Sequence, residues 1–319
     1  MRRITAALTV ALLGTSLLAG SAAGAATDPK IVIIVGAVHG QTSSYLSRGQ
    51  DAYEAARQVS SNVVKVFSPC ATWSKVKSAL QGAAVVIYMG HGNGYPSPYR
   101  TSPWPYSQNG FGLNATCNDG HNNTTYYGEY YIGNQVDLAP NAVVLLHHLC
   151  YASGNSEPGN SAPSFSVAKQ RVDNYGAGFL KAGAGVVIAE AHSDPDYYLW
   201  AIFNTQQTMD EMWRSAPSFH DHVRTWASTR SPGRTAQVDP DSSAPSGYYR
   251  SIVGDLDLTT DGLARVDVMP PKAASPFGEP SASPDSLAPS ADVDTVETPG
   301  DVTDAASQPA PVDPTSDSP

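Results

Sequence analysis

Five runs of apolar residues recur along the chain and predict the strands of a buried sheet. The first run reads KIVIIV, and continuous β-branched runs of this kind are typical of strands that are covered on both faces. We expect strands at residues 30–35, 63–67, 83–89, 142–149 and 186–191.

Amphipathic segments separate these runs and predict helices packed on the sheet. We expect helices at residues 43–58, directly after Thr72, at 164–180 and at 196–213. The Thr72 hydroxyl is in position to cap the second of them. Because short helical crossovers require parallel strands, the alternation predicts an α/β fold with a mostly parallel sheet flanked by helices.

Two parts of the chain give weaker or different patterns. Residues 93–141 are rich in Gly, Pro, Asn and Tyr, and we expect this long insertion to form an ordered aromatic cover over the carboxyl edge of the sheet. Such a cover is as compatible with a surface lid as with a substrate wall. Further along, residues 230–246 have the composition of a loop, and residues 251–256 and 264–268 fit edge strands.

Both ends of the chain differ in composition from the part between them. Residues 1–26 contain two arginines, an apolar run and small residues, which predict a secretory signal peptide cleaved near Ala25 or Ala26, with an uncleaved anchor as the alternative. Residues 270–319 contain eleven prolines, nine acidic residues and one lysine, a composition typical of a disordered tail. A single domain is therefore expected at residues 27–269.

The predicted tail carries most of the net charge. It accounts for −8 of the total of −10, so the predicted domain is close to neutral and lacks a basic field that would attract nucleic acid. After removal of the signal peptide we expect a secreted, extracellular protein without a membrane partner. The sequence gives no indication of the oligomeric state.

Two of the predicted strands end in residues that carry chemistry. The strand at 83–89 leads into Gly90-His91-Gly92, and the strand at 142–149 leads into Cys150 and a run of small residues. Because the carboxyl ends of neighbouring parallel strands lie at one edge of a sheet, His91 and Cys150 are expected to form a thiol–imidazole pair. Gly-His-Gly is a weak signal by itself, and His39-Gly40 after the first strand is a competing copy.

The chain contains three cysteines, Cys70, Cys117 and Cys150. An odd number of thiols in an oxidising compartment requires an explanation. Cys70 and Cys117 both follow strands at the same end of the sheet, and a bond between them would leave Cys150 free. The alternatives are that Cys150 is an inert buried thiol or pairs with one of the other two.

The chemistry expected of the pair is nucleophilic catalysis. A nearby imidazole lowers the pKa of a thiol and can later protonate the leaving group. The backbone N–H groups of Gly92 and Cys150 are the expected oxyanion donors. His148, His192 and Asp194 are possible accessory residues at the same edge.

The order of these elements resembles the caspase-like cysteine peptidases, a family that includes caspases, metacaspases, gingipains and legumains. The segment Tyr88-Met89-Gly90-His91-Gly92 is similar to the metacaspase-type Tyr-x-Gly-His-Gly, and the segment 149–154 occupies the place of the nucleophile segment. The resemblance covers about residues 30–213. It implies a caspase-like three-layer sandwich, with His91 as general base and acid, Cys150 as nucleophile, a protein or peptide substrate and no cofactor.

The resemblance has limits, and two other kinds of function stay open. His147-His148-Leu149 precede the cysteine where many relatives have an acidic or small residue, so no cleavage preference is implied. One alternative is a non-catalytic extracellular module that binds glycan or peptide. The other is a metal-dependent hydrolase using His39, His91, His192 and Glu190, although no tight ligand motif is present and we assign no metal site.

Overall fold

The computed structural model describes residues 28–242 and 246–263. The predicted signal peptide, the tail and the strand expected at 264–268 lie outside this part of the chain. Within it, no helix is both long enough and apolar enough to cross a membrane.

The described residues form an α/β fold. The strands are β1 (Ile31–Val35), β2 (Val63–Phe67), β3 (Val85–Met89), β4 (Phe111–Asn114), β5 (Thr124–Tyr127), β6 (Ala142–His147), β7 (Ala184–Glu190), β8 (Arg224–Ala227), β9 (Thr235–Val238) and β10 (Arg250–Gly254). The α-helices are α1 (Thr42–Val59), α2 (Trp73–Leu80), α3 (Glu129–Gln135), α4 (Phe165–Lys181), α5 (Asp196–Asn204) and α6 (Met209–Arg214). Two 3-10 turns lie at His39–Gln41 and Thr260–Leu263.

Eight strands make one mostly parallel sheet in the order β2-β1-β3-β6-β7-β10-β9-β8. The first five are parallel, whereas β10, β9 and β8 add antiparallel neighbours. Alternate side chains face two apolar layers, as the geometry of strands requires. Val86 and Val144 pack with α2, α3 and α4, while Ile87 and Leu145 pack with α1, α5 and α6. The predicted α/β sheet flanked by helices is therefore confirmed.

The second half of the sheet differs from the prediction. The strand expected at the edge is β10, which lies inside the sheet between β7 and β9, and β9 falls in the segment expected to be a loop. The helix expected at 196–213 is interrupted after Asn204. The second helix, α6, begins after Thr208, which forms a capping box with Glu211. The Thr208 N–H donates to the Glu211 carboxylate, and the Glu211 N–H donates to the Thr208 hydroxyl. Thr72 precedes α2 as predicted, but its hydroxyl makes no capping bond.

The insertion is ordered and covers the carboxyl end of the first strands. It contains the β4–β5 hairpin and α3. The Tyr88 hydroxyl lies 2.9 Å from the Gly112 carbonyl oxygen and accepts a bond from the Gly112 N–H at 2.8 Å. The Thr124 hydroxyl donates to the Ala37 carbonyl. Hydrogen bonds from two parts of the sheet edge therefore fix the hairpin in place.

A disulfide joins Cys70 to Cys117, with the Cα atoms 4.2 Å apart, and leaves Cys150 as the free thiol. The predicted pairing is therefore confirmed. It fastens the insertion to the segment that follows β2.

Replacing Cys70 and Cys117 together by alanine is expected to lower the free energy of unfolding by about 4 kcal/mol in the chain-entropy model, because the unfolded chain regains the freedom of a long loop. Urea denaturation of the wild type and the double variant measures the difference. Reductant should destabilise the wild type by a similar amount and leave the variant unchanged. Equal stability of the two oxidised proteins would contradict the expectation.

Candidate functional site

The site lies where β3 and β6 end side by side. The two strands are parallel, with Met89 opposite His147, so the residues that follow them emerge at the same edge of the sheet. Gly92 packs directly on Cys150. A Cβ atom on Gly92 would lie 2.8 Å from the backbone nitrogen of Cys150 and would overlap its carbonyl oxygen. The absence of a side chain at position 92 is therefore what allows the two backbones to meet.

Cys150 is partly buried and lines a cleft of about 520 Å³ together with Tyr45, Arg48, His148 and Glu157. Burial and, to a smaller extent, the nearby Glu157 raise the pKa of the thiol to about 12, although the backbone N–H of Cys150 acts in the opposite direction. The thiol is consequently protonated in the free protein at neutral pH. The expectation that the site lowers the thiol pKa is wrong, because burial and a carboxylate have the larger effect.

His91 lies beside the insertion. Its ring is 5.3 Å from the ring of His39 and 6.5 Å from that of Tyr126. Burial and, to a smaller extent, the neighbouring His39 lower the pKa of His91 to about 4. The imidazole is therefore neutral at neutral pH and able to accept a proton. Its Nε2 atom is buried and has no hydrogen-bond partner in the described chain.

Tyr126 lies close to both members of the pair. It contacts the His91 ring, and burial together with Cys150 raises the pKa of its hydroxyl to about 12. The structure therefore brings His91 and Cys150 into one neighbourhood. It does not join them by a hydrogen bond from Nε2.

His148 lines the same cleft as Cys150 and has an unusual backbone. Its φ angle is 57°, in the left-handed region that residues other than glycine rarely adopt. This conformation is held by a bond from its N–H to the Glu190 carbonyl (2.9 Å) and by one from the Tyr45 hydroxyl to its own carbonyl (3.1 Å). Burial and, to a smaller extent, the positive charge of Arg48 lower the pKa of His148 to about 4, so this imidazole is also neutral at neutral pH.

The other two accessory candidates lie near the rim. His192 lines the cleft, and its Nε2 is 2.9 Å from a carboxylate oxygen of Asp241. This hydrogen bond raises the pKa of His192. Asp194 forms an ion pair with Arg48. Pro195, not Asp194, occupies the position before α5, so Asp194 serves as a counter-ion rather than a helix cap.

The two expected oxyanion donors lie where Gly92 packs against Cys150. The backbone N–H groups of Gly92 and Cys150 donate to no backbone carbonyl of the described residues. The Cys150 N–H interacts with its own sulfur and thereby lowers the thiol pKa, so it would have to turn to a substrate oxygen that carries developing negative charge.

Sequence reasoning missed Glu157 and the hydrogen bonds that Tyr88 makes. Glu157 lies in an irregular loop and lines both the Cys150 cleft and a neighbouring pocket that includes Gly92. No local pattern marks it. Tyr88 is completely buried, and its hydroxyl lies 3.0 Å from the His91 carbonyl oxygen as well as bonding the hairpin. A tyrosine within an otherwise aliphatic strand was the available signal, because a buried hydroxyl requires partners.

The proposed metal ligands do not converge. His39 lies beside His91, whereas His192 pairs with Asp241 and Glu190 pairs with the buried Arg250. Among residues 28–242 and 246–263, no group of three or more His, Cys, Asp or Glu side chains has an arrangement suited to a metal ion.

No protein-family model matches the chain, and no curated protein is significantly similar to it.

The raised pKa of Cys150 predicts how the thiol will react with iodoacetamide. Only the thiolate is nucleophilic, so the alkylation rate should rise about tenfold for each pH unit between about pH 6 and pH 9. Glu157→Gln removes a charge that raises the pKa and should increase the rate at each pH, whereas Glu54→Gln, on α1, should not. Peptide mapping after brief labelling measures these rates. A plateau near neutral pH would show that a thiolate is already present.

Proposed function

We propose that the protein is a cysteine hydrolase, an endopeptidase that uses Cys150 as nucleophile and His91 as general base and acid. The observation that carries the proposal is the position of the one free thiol. Cys150 follows the central strand β6, opens into a cleft, and lies directly against the segment that bears His91. That segment carries a neutral imidazole that can accept the thiol proton, and Gly92 and Cys150 carry the two proposed oxyanion donors.

The resemblance to caspase-like peptidases supports the same assignment. The first three parallel strands are followed by a Gly-His-Gly segment, an insertion, a fourth parallel strand and the cysteine. Helix α4 and strand β7 then follow the nucleophile, as in bacterial members of that family. We therefore propose a caspase-like three-layer architecture for the described domain.

The proposed reaction begins from a neutral pair. His91 takes the proton from the Cys150 thiol as the sulfur attacks the substrate carbonyl, and the N–H groups of Gly92 and Cys150 bind the oxyanion. The imidazolium then protonates the leaving amine, and a thioester joins the acyl group to Cys150. Water hydrolyses this thioester with His91 acting as base. Because no hydrogen bond joins Nε2 to the sulfur in the free protein, the imidazole must approach the thiol when substrate fills the cleft.

We also propose an extracellular location. A disulfide between Cys70 and Cys117 is typical of proteins that fold in an oxidising compartment. The signal peptide predicted at residues 1–26 agrees with this proposal.

Hydrolysis of a fluorescent casein, followed by a library of short peptides, tests the assignment. Turnover should be lost in Cys150→Ala, and a peptidyl acyloxymethyl ketone should add one label to the Cys150 peptide of the wild type. Glu54→Gln, which changes an exposed side chain of α1 outside the cleft, serves as the control and should stay active. Casein hydrolysis that survives Cys150→Ala would refute the proposal.

A non-catalytic binding module is the second candidate. It is favoured by the protonated thiol and by the missing bond between His91 and Cys150. Binding of a peptide or glycan that is unchanged by Cys150→Ala, with no turnover of any peptide from acid to alkaline pH, would support this candidate over the enzyme.

A further inference from the structure

Arg171 is a buried cation on α4 whose hydrogen bonds all go to loops. Its side chain is 5% exposed. The Nε atom donates to the Pro96 carbonyl at 2.8 Å, while Nη1 donates to the Asn155 carbonyl at 2.8 Å and the Gly154 carbonyl at 3.3 Å. Nη1 also lies 3.1 Å from the Ser156 hydroxyl. In the described chain no carboxylate forms an ion pair with this guanidinium.

These bonds connect the two segments that carry the site. Pro96 belongs to the segment that leaves β3 through His91, and Gly154 belongs to the segment that leaves β6 through Cys150. The guanidinium also lies over the ring of Tyr151, 4.7 Å from its centroid. One side chain therefore contacts both segments within a few residues of the proposed nucleophile and base.

A second residue of α4, Asn174, also binds the segment that follows His91. The Asn174 amide donates to the Tyr95 carbonyl at 2.8 Å. Positions 171 and 174 lie on the same face of a helix, so α4 binds two consecutive carbonyls after His91. Of these two side chains, Arg171 is the one that also hydrogen-bonds to the Cys150 segment.

We propose that Arg171 is a positioning residue that fixes the His91 segment relative to the Cys150 segment. The inference rests on the proposed function, since the geometry it maintains is that of the thiol, the imidazole and the oxyanion donors. A planar guanidinium distributes its donors over three nitrogen atoms and so donates in two directions at once, whereas a lysine ammonium has all three of its donors on one nitrogen. Lysine at this position would keep the charge but could not bind both segments in the same way.

Hydrogen exchange in full-length Arg171→Met, Arg171→Lys and wild-type protein tests the contact independently of catalysis. Amides of residues 92–95 and 154–156 should exchange faster together in both variants. Lys169→Met is the matched control, because Lys169 lies on the same helix over the rings of Phe165 and Trp226. Faster exchange in only one of the two segments, or in neither, would overturn the inference.

Kinetics supply the second readout. A loss of alignment should lower kcat about 100-fold with a much smaller change in KM, and methylguanidine should restore part of the activity of Arg171→Met. A purely structural role would instead change the melting temperature and leave kcat per folded molecule as in the wild type. If Arg171→Met does not fold, Arg171→Lys decides the question. If the wild type shows no turnover that depends on Cys150, the proposed function fails, while the exchange experiment still decides whether Arg171 couples the two segments.

Discussion

Replacing His91 by alanine is expected to reduce kcat/KM for peptide hydrolysis about 1000-fold, since proton transfer by a positioned imidazole contributes on the order of 10²–10⁴ to a rate. The loss should be large because the Cys150 thiol is protonated in the free protein and no preformed thiolate can replace the base. The fold should survive, because the Nε2 atom of His91 bonds no other described residue. Steady-state kinetics together with thermal unfolding measure both effects.

His148→Ala is the matched comparison for this experiment. Its imidazole is also neutral, with a pKa of about 4, and its Nε2 atom is likewise buried without a partner. If His91 is the base, His148→Ala should lose far less activity. A larger loss in His148→Ala than in His91→Ala would assign the base to His148, which shares the cleft with Cys150.

The pH dependence of the wild type follows from the same imidazole. His91 accepts a proton only when neutral, so kcat/KM should rise as the pH increases through about 4. The folded state also disfavours the charged imidazole, which the unfolded chain accommodates below about pH 6.5. Stability should therefore fall as the pH drops from about 6.5 toward 4, and His91→Ala should lose less stability over this range. Urea midpoints across the range provide the measurement.

The parallel half of the fold was predictable because its information is local. The parallel strands are largely apolar runs, although β2 at the edge contains Lys65, and the helices between them require parallel pairing. The position of β10 was not predictable from residues 251–256, because strand order depends on contacts between distant segments. The break between α5 and α6 had a local signal, since Thr208 and Glu211 have the spacing of a capping box.

The sequence predicted where the candidate site lies but not the pKa of its thiol. Strand ends and glycines placed His91, Gly92 and Cys150 at one edge of the sheet. The pKa of the thiol depends instead on burial and on Glu157, which reaches the cleft from an irregular loop. The role of Arg171 could not be predicted either, because its main hydrogen-bond partners are backbone carbonyls, which are present in every sequence.

Arg250→Met is expected to lower the free energy of unfolding by about 3–5 kcal/mol. Arg250 on β10 is completely buried, and its guanidinium lies 2.7 Å from Glu190 and 2.6 Å from Asp239, whose side chains are also completely buried. It donates to the Trp213 carbonyl at 2.7 Å as well. Removing the cation deprives two buried carboxylates of their arginine countercharge, and urea denaturation should show the loss.

Two control experiments test whether unpaired buried charge causes the loss of stability in Arg250→Met. Arg234→Met removes a partly exposed pair with Asp255 and should cost less than about 1 kcal/mol. Adding Glu190→Gln and Asp239→Asn to Arg250→Met should restore part of the lost stability, because the neutral amides no longer require a cation. An equal cost for Arg250→Met and Arg234→Met, or no recovery in the triple variant, would mean that unpaired buried charge is not what destabilises the protein. In that case the packing of Arg250 over the Trp213 ring, at 4.7 Å, would be the main contribution of this side chain.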